Sequence, residues 1–468
     1  MSTTTVEPSE RPAAGRPTIP PAEPPERAAP GRPAIPPLVR RNTLFLAAAQ
    51  ACVGIGNQMT PTLGALMVIH LLGSATFAGA ASGIMGGCRL ISSYPTGQIT
   101  DAYGRKAGLF LGLGVSMVGS VTIGLAMMRE SAPQFFLGLV VFGVGVGAVQ
   151  QLRLAAADMF PPSRRAEGLG YVLTGSLVGA FGGPLLISTA QATAPGLGLA
   201  PEALAWLLVP LLLIPTVVLV FFVRPDPKEI AAHLDRYYPG YRPPERARAT
   251  TEAPPPVSVR DYLRDYPKQV AFVTSFALFG NMSMMMAMNA VALAHHGHGL
   301  PAISLSVALH IIGMFGFSLP LGRLTDAVGR RNVMLLGLVL AATGGMLVPT
   351  SPHYWVVTFG TFLVGLGWSC GNVAIVALLA DTTPPLARGR AIGLNDSISG
   401  AASITLPVLA GPLVELVGLP ALAVVSAALM IGPLIMLLRL REPAPGRYAH
   451  EAPPAPVRLP KPQPAERL

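Results

Sequence analysis

Two stretches decide the fold: Gly97-Gln-Ile-Thr-Asp101-Ala-Tyr-Gly104-Arg105-Lys106 and, 225 residues further on, Gly322-Arg-Leu-Thr-Asp326-Ala-Val-Gly329-Arg330-Arg331. Each closes one apolar run and opens the next. Two more pairs keep nearly the same displacement. Asp158-Met-Phe-Pro161-Pro162 matches Asp381-Thr-Thr-Pro384-Pro385 at 223 residues, and Gly56-Asn57 matches Gly280-Asn281 at 224. Three independent matches at one offset indicate a duplicated unit, and duplicated membrane units place a binding site at their interface.

The unit is composed for lipid. Of 468 residues, 51% are hydrophobic and 12% charged, and the mean hydropathy is +0.53; soluble domains carry about 25% charged residues. The charges crowd into short segments between apolar runs of roughly 20 residues, the length that crosses a hydrocarbon core. Twelve runs are expected as helices. In the first half they cover about 43–69, 76–99, 107–128, 133–159, 166–190 and 203–223. In the second they cover about 269–294, 302–322, 332–350, 354–380, 390–411 and 419–438. The expected architecture is an all-α membrane protein, with a six-helix bundle over 43–223 and its pseudo-symmetric copy over 268–440. Residues 1–42 and 441–468 are Pro-rich with little to bury, and are expected as disordered tails. The polar, basic segment 224–267 is expected as the linker. No signal-peptide pattern opens the chain.

Charge placement gives the orientation. Arg outnumbers Lys 29 to 4, and the formal net charge is +10. The basic residues form no aromatic-laced patch, so nucleic acid is not an expected partner. Of the 33 Lys and Arg, 30 lie in the tails, the linker or the loops after helices 2, 4, 8 and 10. Arg89 and Arg153 sit inside apolar runs, and only Arg129 lies on the opposite side. Basic loops stay in the cytoplasm, so both termini and the linker are expected there, in a multi-pass protein of the cell membrane. The three cysteines (Cys52, Cys88 and Cys370) all fall in apolar runs and allow neither a disulfide framework nor a metal site. No phosphate-cradling loop and no nucleophile with a base is evident, so no cofactor, metal, ATP-driven pumping or enzymatic step is expected.

The Gly-x-x-x-Asp-x-x-Gly-Arg-Lys/Arg loop, present in both halves, resembles the signature of the major facilitator superfamily. The resemblance covers about residues 43–440. It implies a monomeric secondary transporter in the lipid bilayer that moves a small solute by alternating access, one bundle rocking against the other. It also assigns roles to the loop. The Asp latches onto the first turn of helix 11, here 390–395, and the Arg pairs with an acid ending helix 4; the matching residues are Asp101, Arg105 and Asp158. Gly97 and Gly104 would serve close packing and a tight turn, and Lys106 would anchor at headgroups. Gly322, Asp326, Gly329, Arg330, Arg331 and Asp381 form the equivalent set, for which a purely structural role is equally open.

Helix 5 places Gly175, Gly179 and Gly183 on one face, where another helix can approach closely, followed by Pro184, which permits a bend. This resembles the Gly-x-x-x-Gly-Pro segment of the superfamily's antiporters, although Ile187 and Ser188 replace its trailing glycines. An exporter of drugs or amphipathic metabolites is implied, with protons as exchange partner. Two departures weigh against the usual coupling route. Helix 1 offers Gln50, Asn57, Gln58 and His70 but no acid, and helix 4 has no arginine across 137–141. Asp396 in helix 11 and His310 in helix 8 remain as coupling candidates, the imidazole because it titrates near neutrality.

Arg89 lies 12 residues before Asp101, about 18 Å along a helix. A charge at that depth is costly and should face a cavity. It holds an anionic solute, belongs to a coupling network, or is a structural arginine satisfied by carbonyls. The first reading gives an importer of a small anionic metabolite. Further candidates for the cavity lining are Asn57, Gln58, Gln150, Trp368 and Asn372, with Asn281, Met285 and Asn289 on one face of helix 7. A transporter-like sensor or assembly protein without flux is the alternative from another class.

Overall fold

A backbone that enters hydrocarbon must satisfy its polar groups within the chain, and α-helices do so locally. The computed structural model describes residues 35–161, 164–238, 259–383 and 388–441. Among them are twelve long helices and no strand. The first six are α1 (Pro37–Leu72), α2 (Ala80–Tyr103), α3 (Arg105–Met128), α4 (Ala132–Asp158), α5 (Arg165–Thr193) and α6 (Pro201–Phe222). The second six are α7 (Tyr266–His295), α8 (Leu300–Val328), α9 (Arg330–Thr350), α10 (Tyr354–Thr382), α11 (Arg388–Val417) and α12 (Ala421–Arg439).

Eleven of these are long and apolar enough to cross a membrane. The exception is α2. Its 24 residues span about 36 Å at 1.5 Å per residue, ample for a crossing. Arg89, Ser92, Thr96 and Gln98 dilute its apolar character, and Ser92 and Thr96 are buried against protein. Three helices are locally interrupted, α1 at Gln58, α4 at Gln150 and α8 at Gly316–Phe317. In α1 the cause is Pro61, which has no N–H for the carbonyl one turn back.

The first helix starts at Pro37, so the expected tail gives up its last residues to α1; Arg41 there donates to the Arg224 carbonyl at 2.9 Å. Part of the expected linker is also folded. Short helices Pro227–Ala232 and Leu234–Tyr237 return onto the first bundle, where Ile230, Leu234 and Tyr238 join its core. The Tyr238 hydroxyl donates to the Met159 carbonyl at 3.1 Å, and burial pushes that phenol up to about 12. Residues 1–34, 239–258 and 442–468, which carry most of the expected tails and the middle of the expected linker, lie outside the described residues.

The duplication is visible in the backbone. Gly104 (φ 95°, ψ 161°) precedes α3, and Gly329 (φ 92°, ψ 158°) precedes α9. Only glycine takes such a φ without strain, so one glycine turn starts the third helix of each half. The exposed N–H groups at the start of α3 meet a carboxylate from the folded part of the linker. Asp226 Oδ1 accepts from Arg105 N and Oδ2 from Lys106 N, both at 3.1 Å, while Lys228 N donates to Oδ1 at 2.8 Å. Such a cap contributes about 1 kcal/mol. Asp226→Ala is therefore expected to lower stability by about 1 kcal/mol, read as an earlier thermal transition of the detergent-solubilised protein. Asp226→Asn should recover much of it. Identical transitions for Asp226→Ala and the parent would refute the cap.

Candidate functional site

The two bundles meet along α2 with α11 and along α5 with α8, and α1 also touches α7; α2 and α11 come together at one end only. At the end away from the basic loops, a methyl added to Gly79 would overlap the Pro407 carbonyl, and one added to Gly411 the Thr76 carbonyl. Gly83 and Gly86 continue the contact against Val408 and Ile404, and Ala75 N donates to Glu415 Oε2 at 3.0 Å. Without a hydrophobic drive between helices in lipid, small residues that admit close backbones make such contacts. Toward the basic loops the same two helices part. A methyl on Gly97, Gly400, Gly393 or Gly389 would meet nothing within 4 Å, and Leu90 and Asp396 are exposed.

The wedge encloses a cavity of about 460 Å³, within the roughly 300–1,000 Å³ of small-molecule sites. The first bundle contributes Gln50, Asn57, Arg89, Gln150, Arg153 and Ser176 to its wall; the second contributes Phe279, Met282, Met286, His310, Phe315 and Trp368. No Asp or Glu is among the described lining residues. Five lining side chains carry a buried polar atom with no hydrogen-bond partner among the described residues: Asn57 Oδ1, Thr60 Oγ1, Arg153 Nε, His310 Nε2 and Trp368 Nε1. His310 Nδ1 lies 2.7 Å from the Thr361 carbonyl, which can only accept. Nδ1 therefore carries the hydrogen, and in the neutral ring Nε2 is an acceptor. Trp368 packs edge-on against Phe279 (5.1 Å) and Phe315 (6.0 Å).

At the basic-loop end each bundle is braced by matching ion pairs. Arg105 Nε donates to Asp158 Oδ2 at 2.8 Å, and Arg330 Nε reaches Asp381 Oδ2 at 2.8 Å, with Asp326 Oδ1 3.4 Å from Arg330 Nη2. Lys106 Nζ donates to the Phe221 carbonyl at 3.0 Å, and Arg331 Nε to the Leu437 carbonyl at 2.9 Å. The residue after each paired arginine thus ties the third helix of its half to the end of the sixth.

Residues 46–265 and 270–464 match the family model of the Major Facilitator Superfamily. The chain belongs to this superfamily. It is 27% identical over 373 residues to the uncharacterized MFS-type transporter YdeG of Bacillus subtilis, covering 78% of this chain and 84% of that one. It is 26% identical over 410 residues to the riboflavin transporter RfnT of Brucella anthropi, covering 86% and 96%. Among solved structures, the nucleoside transporter NupG shares the fold with a TM-score of 0.60 at 14% identity, covering 86% of this chain and 98% of that one. The protein is thus a multi-pass membrane transporter of this superfamily's fold.

Of the residues expected in a superfamily-type cavity, Asn57, Arg89, Gln150 and Trp368 line it. Gln58, Asn281, Met285, Asn289 and Asn372 do not. The Gln58 amide donates to the Gly179 and Ala180 carbonyls at 3.0 and 2.6 Å and pins α5 to α1. Asn281 Nδ2 donates to the Ala341 carbonyl at 3.2 Å inside the second bundle, and Met285 and Asn289 are wholly buried there. Helix α7 carries methionines on two faces at the same spacing, and the cavity takes Phe279, Met282 and Met286 instead. Arg153, Gln50, Ser176 and Phe279 were missed; for Arg153 the signal was a charge inside an apolar run. Of the coupling candidates, His310 lines the cavity, whereas Asp396 is exposed outside it.

The glycine face of α5 receives α1: Gly175 and Gly179 lie against the Ala47 and Ala51 carbonyls, and Gly183 against the Gln58 amide. Pro184 lies inside α5. Gly97 and Gly322 serve no close packing in this state, since a methyl on either meets nothing within 4 Å. The side chain of Asp101 lies outside the described residues. Both Arg–Asp pairs are largely shielded from solvent, so double-mutant cycles on Arg105/Asp158 and Arg330/Asp381 should each return a coupling of about 1 kcal/mol in unfolding experiments. Additive effects in both cycles would refute the braces.

Proposed function

We propose that the protein is a secondary transporter that exports a small amphipathic solute by alternating access, working as a monomer. The observation that supports this most is the cavity between two pseudo-symmetric bundles, closed at one end by the Gly79–Pro407 and Gly411–Thr76 contacts and open at the other. With the basic loops in the cytoplasm, the open end faces the cell interior, and the solute enters from there. Rocking the bundles would separate Gly79 from Pro407 and bring the Gly97 side of α2 onto the Gly393 side of α11. Asp101 then serves as the latch on the first turn of α11, the Arg105–Asp158 and Arg330–Asp381 braces keeping each bundle rigid as it moves. Export is favoured by the α5 segment ending in Pro184.

His310 is the proposed coupling group in preference to Asp396. It faces the cavity, its Nε2 is an open acceptor, and it is the one imidazole among the described lining residues, which include no carboxylate. A proton and a solute can therefore compete for one place, the requirement for exchange.

A second reading, import of an anionic metabolite, draws on Arg89 in the cavity wall. The direction of flux in proteoliposomes separates the two, and solute binding without flux would leave a sensor instead.

Two outcomes check the cycle. Gly79→Val should weaken the closed end and raise labelling, from the side away from the basic loops, of a cysteine placed at Ser82, a lining position. Unchanged labelling would count against closure by this crossing. A pH gradient acidic on that same side should speed export severalfold in the parent and leave His310→Gln unaffected. A parent protein indifferent to the gradient removes proton exchange.

A further inference from the structure

The cavity has unlike walls. In the first bundle, α2 and α4 lie nearly in backbone contact, because a methyl on Gly147 would overlap Ser92 Oγ and sit 3.0 Å from the Arg89 Cα. That approach sets Arg89 and Arg153 on one wall, near enough for their charges to repel. No described carboxylate shares the lining, and Arg153 Nε is buried without a partner among the described residues. A guanidinium with a buried, unsatisfied nitrogen is costly, and an anion placed beside Arg153, with Arg89 on the same wall, relieves that cost. The opposite wall is soft and largely apolar, with the edge-on rings of Phe279, Trp368 and Phe315 and the thioethers of Met282 and Met286. Such a surface accepts a flat or flexible hydrocarbon body with little demand on its shape.

We infer that the cavity selects amphipathic organic anions, the acidic group held by Arg89 and Arg153 of the first bundle and the aromatic or alkyl body lying on Trp368, Phe279 and Phe315 of the second. This rests on reading the cavity as the site of the transported solute, and it holds for either direction of flux. The arrangement couples recognition to motion. Head and body bind different bundles, so a complete solute bridges the interface, while a fragment carrying only one part touches a single bundle. An amphipathic cation is rejected, since it meets two like charges and no carboxylate among the described lining residues.

The test measures equilibrium binding of three probes of one shape to the purified full-length protein in detergent: 2-naphthoate, 2-naphthamide and 2-naphthylmethylammonium. The carboxylate is expected to bind at least about tenfold more tightly than the amide, and the ammonium not detectably. Arg153→Gln should collapse the carboxylate-to-amide ratio to within about twofold, and Arg153→Lys should retain part of it, keeping charge but losing the planar fork. Trp368→Ala should weaken both probes together and leave the ratio unchanged. Equal binding of carboxylate and amide by the parent protein, no binding of naphthoate at millimolar concentration, or an unchanged ratio in Arg153→Gln overturns the inference. If Arg153→Gln does not fold, the three-probe comparison on the parent decides alone. Naphthoate flux in proteoliposomes keeps the two claims apart. Binding in the expected order without flux refutes transport and leaves the site; flux with no preference for the anion does the reverse.

Discussion

The crossing of α2 over α11 at Gly79 governs the rest of the structure. Lipid tails are as apolar as the side chains they meet, so helices in a bilayer gain little by hiding hydrocarbon from each other and much by close backbone contact. Gly79 and Gly411 allow that contact against the carbonyls of Pro407 and Thr76. From that contact the two helices diverge toward the basic loops, where a methyl on Gly97, Gly393 or Gly400 would meet nothing within 4 Å. The gap beyond Gly86 and Ile404 is that divergence, and the cavity is the part of it walled off by α1, α4, α5, α7, α8 and α10. The bracing arginines complete the device. Arg105 and Arg330 tie the start of the third helix in each half to the end of the fourth, so strain at the crossing is passed to a whole bundle.

The duplication is strict where the bundles are built and abandoned where the solute would sit. The glycine turns at 104 and 329 agree within a few degrees, and the Arg–Asp distances are equal. Counting 224 residues on from Arg89 and Arg153 reaches Gly313 and Ala377, neither of which can carry charge. Asn57 lines the cavity, while its counterpart Asn281 turns into its own bundle to bond the Ala341 carbonyl. Mechanical parts tolerate symmetry because both halves perform the same swing. A cavity meant to hold one unsymmetrical molecule does not, and the cationic wall facing an aromatic wall is the result.

That difference also explains what the sequence disclosed. The repeat, the helices and the basic loops are periodic or compositional, and each depends on residues near one another in the chain. Even the weakest span, α2, is found despite Arg89, because the run around that charge is otherwise apolar. The lining of α7 was not legible, because Met282, Met285, Met286 and Met288 give two faces of equal character, and only the position of the facing bundle chooses between them. Asp226 shows the same limit. An Asp before a Pro announces a cap on its own short helix, which it does provide through Lys228 N. Its capping of α3, 121 residues away, depends on the linker folding back.

Residues wrongly assigned to the cavity still bear on it, one layer behind its surface. Asn289 Oδ1 accepts from Thr361 Oγ1 at 3.0 Å, and the same amide lies 3.4 Å from Ser306 Oγ. These contacts join α7, α8 and α10 at the level where the Thr361 carbonyl takes the Nδ1 hydrogen of His310. Gly365 leaves the room: a methyl there would crowd the His310 carbonyl and ring. The imidazole is therefore held in one orientation and one neutral tautomer by groups that never touch the solute. Its remaining nitrogen faces a wall with two guanidiniums across from it and no described acid beside it. A proton arriving at Nε2 would add a third positive charge to that cavity, which a bound anion lessens and an empty site does not. For the exchange proposed above, the solute must therefore displace that proton by direct contact with Nε2, and this contact has to outweigh the charge that draws anion and proton together.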